Sequence, residues 1–425
     1  METNKIIQID VDLNSNFSPA EKKLGFWAAL LLVLVCFTFP INQGIVILLG
    51  LKESTTFNVI ARVTYLVIAF YLVVKNLNPK ILKLPVGGVW FIIFYLLYLI
   101  RLIYDLEIMG IYYEEKSNFM LYSFSIGGIF IPSLAVILNA KFINSNQLLR
   151  YIFFALLLSN LSILVNVLKD GYNPEIFLIR SVVQGENNED NILNPITIAL
   201  FGESLAIYAL VSLIFFRKPP IGSKLVLGAS LILGILILLL GASRGPTISF
   251  FLLVIVFSFL YVASKRSFLS LFFSSVLVIS LLLNGINYIL SLSADDLFIV
   301  ERFTKFANEG DDIRQTLYRN AWQQFLDHPF FGDKIVERTS NFYPHNMLLE
   351  VLMAMGVVGG LLFVPIFFIP LKRGVLSMKA RGHSFLLFTI FLPIALASLT
   401  SGGLIFSTDY FVLSSLMLSY QKSSF

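Results

Sequence analysis

The chain has 425 residues, of which 57% are hydrophobic and 13% are charged, and its mean hydropathy is +0.82. A soluble core of this size has no room for 41 Phe and 17 Tyr side chains, so the composition excludes soluble enzyme classes. The single cysteine, Cys36, excludes an intrachain disulfide. The three histidines form no close pair, which argues against a His-ligated metal.

Apolar stretches near 20 residues long recur along the chain and predict an all-α polytopic membrane protein with about twelve transmembrane helices. The first span contains Pro40 and Gly44, so it is either one kinked helix or a helix followed by a re-entrant piece. The predicted spans lie at 24–49, 57–74, 87–104, 119–138, 148–168, 192–216, 222–240, 245–263, 267–293, 346–371, 384–400 and 403–420.

Charges in the connections between spans predict the orientation. One alternating set of connections carries fourteen Lys and Arg, from Lys75 to Arg381, and no acid. The other set is rich in Asp and Glu. The positive-inside rule therefore places the polar tail at 1–23 and the C-terminal residues 421–425 in the cytoplasm. The same bias explains the pI near 9.0 without a nucleic-acid partner.

The longest connection, 294–345, separates spans 1–9 (24–293) from spans 10–12 (346–420) and is predicted to be a periplasmic loop. Within it, apolar residues recur at helical spacing and predict a 15-residue amphipathic helix that begins at Ile313 and ends before the turn at Asp327-His328-Pro329. The apolar stripe of this helix consists of Ile313, Leu317, Tyr318, Ala321, Trp322, Phe325 and Leu326. At about 100° per residue, Arg314 falls at the centre of the apolar stripe and Arg319 about 130° away. Arg314 thus needs an anion beneath it, and Arg319 is expected on the solvated face.

Six charged residues fall within or at the ends of the apolar spans, where each is costly and therefore a functional candidate. One of them, Glu203, is near the middle of the membrane. The alternative for each is snorkelling or a structural ion pair. The other five lie towards the outer side and favour a polar cavity that opens to that face: Arg62, Arg101, Arg244, Glu350 and Asp409.

Two short segments carry groups suited to chemistry. At Ser243-Arg244-Gly245-Pro246 a guanidinium precedes a helix start, which suits a phosphate, although a tight hairpin with one snorkelling arginine is the alternative. His345 is predicted in the first turn of the helix that follows the large loop, where the positive helix end disfavours imidazolium and leaves a neutral base. An ordinary interfacial histidine is the alternative. Gly356, Gly359 and Gly360 are expected to permit close helix packing.

Taken together, a phosphate-suited arginine turn, an inward-facing arginine and a neutral histidine describe base catalysis beside an anionic leaving group. A transferase with a lipid pyrophosphate donor fits this set. Such a reaction requires no metal, but acidic residues of the outer loops leave Mg²⁺ binding open.

The motifs resemble those of the O-antigen ligase and O-antigen polymerase superfamily of bacterial envelope glycosyltransferases. Ser243-Arg244-Gly245 is similar to its Ser/Thr-Arg turn. The pattern from Arg314 through Tyr318, Trp322 and His328-Pro329 to Gly332 is similar to its outer-loop signature, with Tyr318 where the family usually has Trp. His345-Asn346 with Glu350 and Gly356-x-x-Gly359 is similar to its histidine motif.

The resemblance implies an inverting, metal-independent glycosyltransferase with a GT-C-like fold, no cofactor, and an active site on the periplasmic side of the bacterial inner membrane. His345 would be the general base, and Arg244 and Arg314 would bind undecaprenyl pyrophosphate. The implied partners are an undecaprenyl-pyrophosphate-linked glycan, the lipid bilayer, and a chain-length regulator or a lipid A-core acceptor. Lower-ranked candidates for substrate binding are Arg62, Arg101, Arg319, Glu350 and Asn346.

Polymerase and ligase share these motifs and differ in the acceptor, which is a second lipid-linked repeat unit or lipid A-core. The modest, acidic outer loops between spans three and four and between spans five and six favour an O-antigen or capsule polymerase. A transporter or flippase of lipid-linked sugars is the alternative from another class. In a transporter the intramembrane charges are expected at the midplane, whereas here they cluster towards the outer side. A transporter is also expected to have two repeated halves with matching broken helices, and the sequence has no such repeat. A purely structural membrane scaffold would not explain why an arginine, Arg314, falls in the apolar stripe of the amphipathic helix.

Overall fold

The computed structural model describes residues 17–49, 55–76, 84–113, 116–169, 194–216, 219, 221–241, 243–264, 313–380 and 383–419. All regular elements in these ranges are helical, as the composition predicted. The predicted span at 267–293, the first part of the large loop (294–312) and residues 1–16 of the tail lie outside the described residues.

The described α-helices are numbered here in chain order. Two π-helical stretches, Tyr104–Ile108 and Ser123–Phe130, and a 3₁₀ turn, Ala140–Phe142, extend or join some of them. The α-helices are α1 (Pro19–Leu48), α2 (Thr55–Asn76), α3 (Val86–Ile103), α4 (Asn118–Tyr122), α5 (Ile131–Asn139), α6 (Ser145–Lys169), α7 (Pro195–Phe215), α8 (Lys224–Leu240), α9 (Arg244–Ser264), α10 (Ile313–Asp327), α11 (Met347–Ala380), α12 (His383–Ser398) and α13 (Thr408–Ser419).

Within the described residues, eight helical stretches are long and apolar enough to cross a membrane. Two further apolar helices, α8 and α12, are shorter. The polytopic membrane class is therefore confirmed, whereas the number of twelve spans and the GT-C-like arrangement stay predictions. The amphipathic helix α10 has the predicted length of 15 residues, Ile313 to Asp327.

The first helix begins earlier than predicted and is continuous through Pro40. Its start is fixed by a capping box, in which Glu21 N–H donates to Ser18 Oγ at 3.3 Å and Ser18 N–H donates to Glu21 Oε2 at 2.9 Å. Pro19 occupies the first helical position, where its missing N–H is not needed. The predicted boundary at residue 24 followed hydropathy alone and missed this polar first turn.

The chain divides into two compact units. Unit 1 comprises Met1–Thr38, Asn58–Ile152 and Ile313–Phe425. In it α11 packs against α3, α10, α12 and α13, and α13 also packs against α3 and α5. The core of the unit is aromatic: the Tyr95 ring lies 5.7 Å from Phe130 and 5.6 Å from Phe411, and both Tyr95 and Phe411 are fully buried.

Unit 2 comprises Phe39–Phe57 and Phe153–Asp312. Its described core is the pair α7 and α8, which approach closely at glycines. A Cβ on Gly202 would lie 2.3 Å from Leu238 N, and one on Gly234 would lie 2.6 Å from Ala206 N. Small residues let two membrane helices bring their backbones into contact in this way.

Helix α11 is interrupted at Gly356, whose φ of 61° and ψ of −159° are not helical. The turn after α10 occupies the break, because Val357 N–H donates to Pro329 O at 2.8 Å and Val358 N–H donates to Phe330 O at 3.2 Å. In return, Asp333 N–H donates to Met353 O at 2.9 Å. Gly356 therefore permits a close approach, as expected, but the neighbour is the turn after α10 and not a second helix. A side chain there would collide with the Phe330 backbone at 2.4 Å.

Candidate functional site

The segment between α10 and α11, residues 328–346, leads directly to His345 and is called the α10–α11 segment below. Two buried polar side chains hold its middle. Asp105 Oδ2 accepts a hydrogen bond from Ile335 N–H at 2.8 Å. Gln324, in α10, donates from Nε2 to Val336 O at 3.1 Å and accepts from Arg338 N–H at 3.1 Å. Backbone groups that would be orphaned in this buried stretch are thus paired.

A third buried side chain, Glu337, shapes the turn just before His345. Its two carboxylate oxygens accept from Thr339 N–H and Ser340 N–H, each at 2.8 Å. Burial alone would raise the pKa of Glu337, but these hydrogen bonds outweigh burial, so the pKa lies below its usual value. Its backbone N–H donates to Phe342 O at 2.8 Å, and so the turn closes on itself.

His345 precedes α11 and is not part of it. Asn346 is the N-cap: its Oδ1 accepts from Leu349 N–H at 3.0 Å, and its carbonyl accepts from Glu350 N–H at 2.9 Å. His345 has a φ of 56°, in the left-handed region that costs a non-glycine residue about 1–3 kcal/mol. The prediction of a histidine in the first helical turn is therefore wrong by two positions, because the capping amide follows the histidine.

Aromatic rings surround His345. Its ring centroid lies 4.4 Å from Tyr343 and 5.3 Å from Phe342, and Phe406 lies 5.7 Å from Tyr343. Burial and the nearby Glu350 raise the pKa of Tyr343 to about 12, although the Arg314 guanidinium acts to lower it. Tyr343 is thus a neutral phenol at pH 7 and can donate a hydrogen bond from its hydroxyl.

The connection between α12 and α13, residues 399–407, packs against the residues around His345. Arg314 Nη1 donates to Thr400 O at 3.1 Å, and Glu350 Oε2 accepts from Leu404 N–H at 3.0 Å. A Cβ on Gly403 would lie 2.8 Å from the Tyr343 ring and 3.3 Å from Glu350 Oε2. Unit 1 therefore gathers His345, Tyr343, Arg314 and Glu350 around one connection.

Helix α10 presents the two arginines as its periodicity predicted. Arg314 is half-buried on the side of Leu317, Ala321 and Phe325, all of which are buried, whereas Arg319 is exposed. Trp322 and Leu326, which the pattern placed in the same apolar stripe, are 48% and 49% exposed.

Two further arginine candidates have local partners in unit 1. Arg101 forms an ion pair with buried Asp105 one turn along, with Nη2 2.9 Å from Oδ1 and Nε 3.0 Å from Oδ2. Arg62 is exposed on α2 and lies over the Phe124 ring at 4.6 Å, a cation–π contact. The Arg101 geometry matches the structural alternative, since the guanidinium balances a carboxylate that is itself bonded to Ile335.

Arg244 belongs to unit 2 and is the first residue of α9, as the Ser-Arg-Gly-Pro pattern predicted. It is half-buried. Ser243 and Thr247, on either side, are buried, and Ser243 O accepts from both Thr247 N–H (3.2 Å) and Thr247 Oγ1 (2.8 Å). Glu203 of α7, also in unit 2, is fully buried.

Three residues of this site were missed by the sequence reasoning: Asp105, Gln324 and Glu337. Asp105 follows Arg101 at the i+4 spacing of an ion pair, which is a usable signal. Gln324 falls on the packed side of α10, next to Phe325, where a polar residue needs a partner. Glu337 carries no local signal. In the described part of the chain, no group of three His, Cys, Asp or Glu side chains is placed to hold a metal ion.

Comparison with known proteins gives a family match for part of the chain. Residues 229–333 match a family model described as O-antigen ligase. The matched residues include Arg244, Arg314 and Arg319 and end before His345. No curated protein and no solved structure matches the chain. The family match confirms the resemblance to the O-antigen ligase and polymerase superfamily and covers the Ser-Arg turn and the outer-loop signature, whereas the histidine motif lies outside it.

Proposed function

We propose that this chain, which carries an O-antigen ligase family domain over residues 229–333, transfers a glycan from undecaprenyl pyrophosphate to a hydroxyl acceptor in a reaction catalysed by His345. The family match supports a membrane glycosyltransferase of the O-antigen ligase and polymerase type and carries the proposal. The site geometry adds support, because a histidine in a strained conformation is held there by a network of buried polar groups.

In the proposed reaction, the His345 imidazole accepts the proton of the acceptor hydroxyl while the hydroxyl oxygen attacks the anomeric carbon of the donor glycan. The bond between that carbon and the pyrophosphate oxygen breaks, and undecaprenyl pyrophosphate leaves with the bonding electrons. Attack opposite to the leaving group inverts the anomeric centre. The two substrates are the donor glycan and the hydroxyl acceptor, and the step needs no oxidant or reductant because one C–O bond replaces another.

Arg314 and Arg244 are proposed to stabilise the charge that develops on the pyrophosphate. A guanidinium has five N–H donors in a planar fork, a geometry that matches phosphate oxygens in two-point contacts. The neutral Tyr343 hydroxyl is proposed to orient a sugar or phosphate oxygen beside the base. Glu350 and Asn346 are assigned a positioning role, since the first holds Leu404 N–H and the second caps α11.

The polymerase and the ligase activities differ in the acceptor that receives the glycan. We favour a repeat-unit polymerase of O-antigen or capsule because the outer loops near spans three to six are acidic, which does not suit a phosphorylated lipid A-core. The ligase is the second candidate, because the matching family model is described as O-antigen ligase.

The test is complementation of a strain that lacks the gene, with envelope glycans separated on a gel at matched protein levels. The variants are His345→Ala, Arg244→Ala and Arg314→Ala. The matched controls are His383→Ala, at the first residue of α12, and Arg150→Ala, at an exposed arginine of α6. Both controls are expected to give full ladders.

Each outcome has a distinct meaning. Core that carries a single repeat unit in the three site variants means a polymerase, whereas bare core with long polyprenyl-linked chains retained means a ligase. Full ladders from all three variants would overturn the catalytic assignment.

A further inference from the structure

The burial of α11 changes at Gly356, and this change marks where the helix meets lipid. Before the break, none of the residues from Met347 to Met355 has an exposed side chain. After the break, one stripe at helical spacing is open, with Val357 40%, Leu361 66%, Val364 45% and Phe368 55% exposed. A stripe of large apolar side chains on a membrane-spanning helix is a lipid-facing surface.

The length of the helix agrees with this boundary. The candidate span of α11, Met347–Met378, has 32 residues, or about 48 Å at 1.5 Å per residue, which exceeds the hydrocarbon thickness of about 30 Å. The apolar part beyond the break, residues 357–371, ends before Lys372 and Arg373, which the charge pattern assigns to the cytoplasmic side, and measures about 22 Å. Because the hydrocarbon is about 30 Å thick, the break at Gly356 falls on the outer side of the midplane, about 8 Å from the outer edge of the hydrocarbon.

The turn after α10 lies at this same level. Pro329 O and Phe330 O accept from the N–H groups of Val357 and Val358, the first residues beyond the break. The side chains of Phe330 and Phe331 are nevertheless 71% and 74% exposed. Two exposed phenylalanines thus stand beside the start of the lipid-facing stripe.

Helix α10 continues the exposed apolar surface. Trp322 and Leu326 are one turn apart and are both about half exposed, while Leu317 and Ala321 pack inward. Arg319 is exposed and lies within about 20° of Leu326 around the helix axis, at 100° per residue. Aromatic and aliphatic side chains beside a cation match the membrane interface, where apolar groups enter the acyl region and arginine meets lipid phosphate.

We propose that Trp322, Leu326, Phe330 and Phe331 form a membrane-contact edge that inserts into the leaflet at the α10–α11 segment. The occupant is the lipid interface, because the edge is continuous through the Val357 and Val358 hydrogen bonds with the lipid-facing stripe of α11. The consequence is that α10 lies against the bilayer surface and holds Arg314 at the level of lipid headgroups.

The test uses the position of tryptophan fluorescence in vesicles of phosphatidylethanolamine and phosphatidylglycerol. The chain has three tryptophans, Trp27, Trp90 and Trp322, so Trp27→Phe with Trp90→Phe leaves Trp322 as the reporter. A second reporter is Phe331→Trp in a background in which all three native tryptophans are replaced by Phe. The matched control is Thr339→Trp in the same background, at an exposed residue of the same segment.

The first two reporters are expected to show blue-shifted emission, strong quenching by brominated lipid chains and weak quenching by aqueous acrylamide. The Thr339→Trp control is expected to show the reverse. Acrylamide quenching of both reporters equal to that of the control would overturn the proposal. Shielding that appears only in native membranes, and not in vesicles of the purified protein, would assign the edge to a protein partner and would also overturn it. If the Phe331→Trp variant does not fold, the native Trp322 decides.

Discussion

The Glu350 side chain accepts a hydrogen bond from Leu404 N–H at 3.0 Å across 54 positions of sequence. This single bond joins the first turn of α11 to the connection between α12 and α13, and Arg314 joins the same connection through Thr400 O. The residues with proposed chemical roles in unit 1 are therefore placed by contacts between distant parts of the chain.

Replacement of Glu350 tests this link. Glu350→Leu leaves the buried Leu404 N–H without an acceptor, and we expect a loss of about 1–3 kcal/mol in unfolding free energy. Glu350→Gln keeps an oxygen acceptor and should lose less than half as much. Thermal unfolding in detergent measures both variants, and hydrogen exchange at Leu404 reports the bond itself. Equal stability of the Leu and Gln variants would show that the bond does not hold the connection.

The Gly356 break makes a second prediction. Gly356→Ala places a Cβ at a φ of 61° and 2.4 Å from the Phe330 backbone, so we expect it to cost at least about 1–3 kcal/mol. Gly228→Ala is the matched control, because nothing lies within 4 Å of a Cβ there and alanine favours the helix. The midpoint of thermal unfolding should fall for the first variant and stay constant or rise for the second. An unchanged unfolding midpoint for Gly356→Ala would contradict the close packing and the backbone hydrogen bonds between the turn after α10 and the break.

Adjacent glutamines of α10 provide a matched pair. Gln324 is 2% exposed and bonds Val336 O and Arg338 N–H, whereas Gln323 is exposed and bonds Asp327. Gln324→Ala leaves both backbone groups without their partner and should cost about 2 kcal/mol or more, while Gln323→Ala should cost under about 0.5 kcal/mol. Limited proteolysis between residues 328 and 346 is the measurement. Faster cleavage of the Gln323 variant would reverse the assignment.

Variants of Arg101 and Asp105 distinguish a structural role of Arg101 from a role in substrate binding. Arg101→Met leaves buried Asp105 without its cation, which typically costs about 3–5 kcal/mol. The double variant Arg101→Met with Asp105→Asn removes the charge and keeps an acceptor for Ile335 N–H, so we expect it to recover most of the stability and the activity. If the double variant is stable but inactive, Arg101 contributes to substrate binding as well.

Acid should loosen the turn before His345. The pKa of Glu337 is depressed in the folded protein, so its contribution to stability is fully present above the unfolded value near 4.3 and is lost as pH falls through the folded pKa. Hydrogen exchange of Thr339 and Ser340, corrected for the intrinsic rate, should therefore increase between about pH 5 and pH 3. Glu337→Gln should remove this pH dependence. A wild-type protein with pH-independent protection would contradict the carboxylate role.

The local features of α10 were predictable, whereas the contacts around His345 were not. The spacing of Leu317, Ala321 and Phe325 settles which side of α10 packs and hence the difference between Arg314 and Arg319, because a helix repeats every 3.6 residues. Hydrogen bonds such as Asp105 to Ile335 N–H, 230 positions apart, leave no periodic signal. Nor does hydropathy distinguish a glycine that permits helix packing from Gly356, since both lie in an apolar run.

The backbone hydrogen bonds between the turn after α10 and the break at Gly356 also set an order of events during synthesis. The carbonyls of Pro329 and Phe330 emerge from the ribosome before the N–H groups of Val357 and Val358 that pair with them. The turn after α10 therefore remains incomplete until α11 has been translated and inserted. A nascent chain arrested before residue 357 should have this turn open to protease, and one arrested well after residue 380 should have it protected.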